Sequence, residues 1–70
     1  MNNFNHFFLN GEEYSTNYNL TLIELLEYFN YDKNLIVLEY NNLIYRENKW
    51  KSIFINNRDN IEILTIVGGG

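Results

Sequence analysis

The strongest constraint on the fold of this 70-residue chain is one amphipathic helix set between two blocks of strand-like sequence. Thr21-Leu22-Ile23-Glu24 reads as a capping box, in which the Thr21 hydroxyl accepts from the Glu24 amide and the Glu24 carboxylate reaches back. Beyond it Leu22, Leu25, Leu26 and Phe29 recur at helical spacing, which predicts a helix of about 8 to 10 residues. Glu24 and Glu27 suit the positive end of its dipole, and the stretch Asn30 to Asn34 ends it.

The flanking sequence alternates like β structure. Phe4 to Leu9 is a first strand, Asn10-Gly11 is a hairpin turn whose two residues tolerate positive φ, and Glu12 to Ser15 returns antiparallel. A polar loop, Thr16 to Leu20, leads to the helix. After it Leu35 to Tyr40 forms a third strand, and Asn41-Asn42 turns the chain into a fourth at Leu43 to Tyr45. Arg46 to Ser52 is irregular or a short helical turn, with Trp50 plugging the edge of the core. Asn56 to Asp59 turns into a last strand over Asn60 to Val67, in which Ile61 and Ile63 face one way and Glu62 and Leu64 the other.

A helix that lies between a hairpin and later strands has to cross one sheet face and cover it. The expected class is therefore α+β, a β-grasp of order β-β-α-β-β-β. It has one mixed sheet, its first and last strands central and parallel, and one helix packed across one face. The helix would rest on Phe7, Leu9, Leu38, Ile61 and Ile63. Residues 1–67 make a single domain on this reading, and 68–70 a glycine tail.

Size and charge narrow the function. A chain this short hides only roughly 60% of its unfolded surface, and it has no Cys to add a disulfide or a thiolate metal cluster. A cleft that encloses a substrate needs about 300 Å³ or more, which would come out of the core. A binding or carrier module is favoured over a self-sufficient enzyme. The net charge of −4 and five dispersed basic residues argue against nucleic acid and for a protein partner with a basic face. No run approaches a membrane span, and Met1-Asn2-Asn3-Phe4 has no signal-peptide pattern, so the chain is not expected to be secreted. Absence of Ala and Pro, with abundant Asn, Ile, Tyr and Phe, tracks AT-rich codons. That composition suits the cytoplasm of a low-GC bacterium or a plastid stroma.

Three of the four glycines close the sequence as Gly68-Gly69-Gly70. Glycine is costly to order, so such a tail is expected to be extended and flexible. Without side chains it can thread a narrow channel and deliver a carboxylate to a partner's active site. Gly70 is then the reacting residue, with Gly68 and Gly69 as its thread. A carboxylate is a poor electrophile, but ATP can convert it to an acyl-adenylate open to a sulfur or nitrogen nucleophile. A plain tail without function is the bland alternative.

The sequence resembles the ThiS family of ubiquitin-like sulfur carriers in thiamine-thiazole synthesis. The resemblance runs through Asn10-Gly11, Thr21-Leu-Ile-Glu-Leu-Leu26, Glu39-Tyr-Asn41, Trp50 and the closing Asp59 to Gly70. It departs where the family often carries Pro-Arg, here Arg46-Glu47, and where the turn before Asp59 usually has Gly, here Arg58. The resemblance implies that an E1-like adenylyltransferase of the ThiF type activates the Gly70 carboxylate. ATP and Mg²⁺ would be used by that enzyme, with no cofactor bound by the chain itself. A persulfide donor would then supply sulfur to give a thiocarboxylate, and a thiazole synthase of the ThiG type would take it. Two other readings share the fold: the small subunit of molybdopterin synthase, and a β-grasp interaction or modifier module.

Strand alternation puts Phe8, Glu62 and Leu64 on the face away from the helix, where nothing in the sequence is left to cover them. That face, rimmed by Glu39 and Glu62, is the expected partner surface, and Ile66 and Val67 are anchors that set the entry of the tail. His6 is the only His, which leaves no metal-ligand set. Glu12 and Glu13, adjacent on a strand, face opposite ways and make no acid–base pair.

Overall fold

The computed structural model describes residues 4–66. The chain runs through β1 (Asn5–Leu9), β2 (Glu12–Thr16), α1 (Leu22–Tyr28), a 3₁₀ turn (Lys33–Leu35), β3 (Ile36–Tyr40), β4 (Leu43–Tyr45), α2 (Glu47–Trp50) and β5 (Asn60–Thr65). The strands form one sheet of order β2-β1-β5-β3-β4. β1 and β5 lie parallel side by side, and the other neighbours are antiparallel. This is the expected mixed β-grasp.

Local chemistry explains the connections. Asn10 and Gly11 both have positive φ (50° and 83°), as do Asn41 and Asn42 (51° and 73°). These are the values of the tight turns whose twist matches a hairpin. The Asn10 side chain also extends the parallel pairing of β1 with β5. Its Oδ1 accepts from the Ile63 amide at 2.7 Å, and its Nδ2 donates to the Ile63 carbonyl at 3.3 Å.

The capping box of α1 is complete. The Glu24 amide donates to Thr21 Oγ1 at 3.2 Å, and Glu24 Oε1 accepts from the Thr21 amide at 2.9 Å. At the other end Asn30 takes φ 60°. The Tyr31 amide donates to the Leu26 carbonyl and the Asn30 amide to that of Glu27, closing the helix in a Schellman arrangement. α1 spans seven residues, one fewer than the shortest expected, because Phe29 is already its C-cap.

α1 lays Leu22, Leu25 and Leu26 over Phe7, Leu9, Ile36, Leu38, Ile61 and Ile63, with Trp50 and Ile55 completing the core. Trp50 is buried beside the edge strand β4, and its Nε1 donates to the Tyr45 carbonyl at 2.9 Å. The third strand starts one residue later than expected because Leu35 closes the 3₁₀ turn, whose N-cap Asp32 accepts from the Asn34 amide at 3.0 Å. β5 covers Asn60–Thr65, and Val67, the expected end of the strand, lies outside the described residues.

Candidate docking face and tail root

The strand register fixes what stands on the face away from α1. Leu9 and Ile61 are partners in the parallel pair and both point into the core, so Phe8 on β1 and Glu62 and Leu64 on β5 point outward. Leu64 faces Val37 across the β3–β5 pair, Glu62 faces Glu39, and Ile44 on β4 faces Glu39 from the other side. Leu64 and Ile44 are 62% and 67% exposed. Beyond the ladder the Ile66 amide donates to the Leu35 carbonyl at 2.6 Å, which continues the β3–β5 pairing one step toward the chain end. Both residues are exposed.

The result is an aliphatic patch of Leu35, Val37, Leu64 and Ile66 at the root of the tail, with Ile44 beside it. Leu35, Val37 and Ile44 lie outside the surface expected from sequence, although alternation backward from Leu38 and the Asn41-Asn42 turn contain the signal. Two details correct the expected layout. Glu39 and Glu62 do not rim the surface; they face each other across two inner strands. They also divide Phe8, which stands level with Asn60, from the aliphatic patch. Val67, Gly68, Gly69 and Gly70 lie outside the described residues.

The carboxylate pair is an electrostatic oddity. Directly opposed residues on antiparallel strands hold their Cβ atoms about 4.5–5.5 Å apart, where like charges are destabilising. Neither glutamate forms a salt bridge among the described residues. The acidic character continues to β2, where Glu13 is the partner of Phe8 and lies 3.6 Å from His6 Nδ1. A cation from a partner would relieve the opposed charges.

A buried polar knot fixes the other end of β5. Asp59, itself buried, accepts from the Tyr40 hydroxyl at 2.5 Å, Asn41 Nδ2 at 3.0 Å and the Asn56 amide at 2.6 Å. Burial, and then the hydrogen bond to Asp59 and its charge, push the Tyr40 hydroxyl well above the usual tyrosine range. The knot ties the β3–β4 turn to the start of β5 and so sets that strand's register. Among the described residues no cluster of His, Cys, Asp or Glu could hold a metal ion, and no helix is long and apolar enough to cross a membrane.

A mixed sheet of this order with one helix across one face is the ubiquitin-like β-grasp. The chain belongs to the ThiS family, whose model matches residues 7–70. The ycf40 protein of Trieres chinensis is 53% identical over 64 residues, covering 91% of this chain and 88% of the relative. The ycf40 protein of Porphyra purpurea is 39% identical over 62 residues, covering 89% and 87%. Among solved structures, the thiamine biosynthesis protein ThiS from Geobacter metallireducens superposes with a TM-score of 0.78 at 20% identity, over 93% of this chain and 99% of that one.

Proposed function

We propose that this chain carries sulfur as a thiocarboxylate on Gly70 and gives it up for the thiazole ring of thiamine. The observation that carries the reading is that the family match extends through the glycines to residue 70. The described residues end at Ile66, just past the sheet's central strand and beside an apolar face. The name of the Geobacter relative, a thiamine biosynthesis protein, favours thiazole over molybdopterin as the destination.

The chemistry is carried by partners. A Gly70 carboxylate oxygen attacks the α-phosphorus of ATP in an E1-like enzyme, and pyrophosphate leaves. A persulfide sulfur then attacks the acyl carbon and displaces AMP. Cleavage of the resulting S–S bond by a thiol leaves the thiocarboxylate. A thiazole synthase takes the sulfur, and the carboxylate returns. In this cycle Gly68 and Gly69 thread the tail, Ile66 and Val67 set its entry, and Phe8, Glu62 and Leu64 dock the enzyme. Of the two compartments that the composition suits, the plastid stroma is the one we favour, since relatives occur in Trieres chinensis and Porphyra purpurea.

The test is intact mass after incubation with an active adenylyltransferase, ATP and a persulfide donor. One sulfur is expected in place of one oxygen at Gly70. An unchanged mass, with the enzyme shown to load a known carrier, would sink the proposal. Adding one residue beyond Gly70 should abolish loading. Full loading of the extended chain would show that this carboxylate is not the reacting group.

A further inference from the structure

The helix side of the molecule carries an aromatic groove that sulfur carriage does not use. It lies between α1, β1 and the end of β2, holds about 320 Å³, and has Leu20 and Leu25 among its walls. Its rings form a connected series. Phe7 and Tyr14 stack at 6.0 Å, Tyr14 and Phe29 meet edge-on at 5.2 Å, and Phe29 and Tyr28 meet edge-on at 5.1 Å. Tyr18 and Tyr28, at the mouth, are 75% and 79% exposed, an unusual expense of aromatic surface in so small a chain. The loop that bears Tyr18 is held in place, since the Tyr18 amide donates to Thr16 Oγ1 at 3.1 Å and the Leu20 carbonyl accepts from the Ile55 amide at 2.8 Å.

Charge selects the occupant. A shallow depression shares Tyr18, Leu20 and Tyr28 with the groove and adds Glu24 and Glu27. None of Lys33, Arg46, Lys49, Lys51 and Arg58 lines either hollow. An anionic ligand would meet the Glu27 carboxylate, with that of Glu24 engaged in the capping box behind it. A cation on an apolar stem would meet tyrosine faces, which attract it through the ring quadrupole, with the carboxylates beyond. We propose that this groove is a second docking site, taking a Lys or Arg side chain flanked by apolar residues on an extended segment of a partner protein. It opens on the helix-covered side, so it can be filled while the opposite sheet face is engaged by another partner.

The test is an amide-shift titration of the ¹⁵N-labelled chain with acetyl-Leu-Arg-Leu-amide, and it involves no sulfur chemistry. Saturable shifts are expected at residues 14–20 and 25–29, and none at Phe8, Glu62 or Leu64. Replacing Arg by Glu in the peptide should weaken binding by about tenfold or more. The double variant Glu27→Gln, Tyr28→Ala should lose about fivefold in affinity while keeping the native fold, read as native amide shifts away from the groove, because both side chains are exposed. Equal binding of the Glu peptide, shifts centred on the sheet face, no saturable shift, or undiminished binding by the variant would each overturn the proposal.

Discussion

Two neighbouring residues in the turn before β5 show how single positions are constrained. Arg58 sits at φ 73°, in the left-handed region, and its amide donates to the His6 carbonyl at 2.5 Å. It is the position where family resemblance leads one to expect glycine, and the structure shows why. A side chain in this conformation costs about 1–2 kcal/mol, partly offset by the greater unfolded-state freedom of glycine, about 0.4–1 kcal/mol. Arg58→Gly should therefore stabilise the fold by about 0.5–1 kcal/mol, read as a higher urea midpoint at unchanged m value. A lower midpoint would mean the arginine makes a compensating contact. Next to it, Tyr40 bonded to Asp59 makes stability sensitive to alkali. A tyrosine in the unfolded chain loses its proton near pH 10, whereas the folded group, raised by burial and then by Asp59, holds it longer. Its contribution is thus intact below about pH 10 and declines as pH rises past that value toward the folded one. Urea midpoints taken from pH 8 to 11 should fall for the native chain and fall less steeply for Tyr40→Phe. Parallel curves would remove Tyr40 as the source.

At the scale of elements, α1 is the piece whose stability is written most locally. Thr21→Ala removes the hydroxyl that accepts from Glu24 and should cost about 1 kcal/mol, as N-cap losses typically do. The readout is again the urea midpoint, with Thr21→Ser expected to restore most of the loss. Features of this kind were legible in the sequence because their partners lie within four residues: the capping box, the Asn10-Gly11 and Asn41-Asn42 turns, and the alternation of buried and exposed residues in β1 and β5. What could not be read depends on which of several competing pairings the folded chain selects. The 3₁₀ turn that shortens β3 follows from Asp32 capping Asn34 in competition with strand pairing. The confrontation of Glu39 with Glu62 exists only once β3 and β5 are in register. Trp50 belongs to the core because its indole finds the Tyr45 carbonyl, a pairing that spacing alone does not disclose.

For the whole molecule, the coincidence of acidic charge with exposed apolar surface on two faces is the main physical point. The sequence carries a net charge of −4, and the acidic groups gather where apolar surface is also exposed: Glu39 and Glu62 beside Leu64, and Glu24 and Glu27 beside Tyr18 and Tyr28. Apolar area supplies the contact energy of a docked complex, while exposed charge chiefly sets its rate of encounter and its salt dependence. The two contributions can be separated on the sheet face. Leu64→Asp loses the contact surface of a central, exposed side chain and adds a carboxylate beside two others. It should weaken adenylyltransferase binding by about tenfold or more through faster dissociation, with folding intact. Glu62→Gln removes half of the opposed pair. It should slow association at low salt and lose that effect as ionic strength rises, when charges are screened within about 10 Å at 0.1 M. Surface-binding kinetics across a salt series would read both. If Leu64→Asp dissociates like the native chain, the enzyme docks elsewhere. If Glu62→Gln associates at the native rate at every salt concentration, the opposed glutamates have no part in steering the partner and remain an unrelieved repulsion in the sheet.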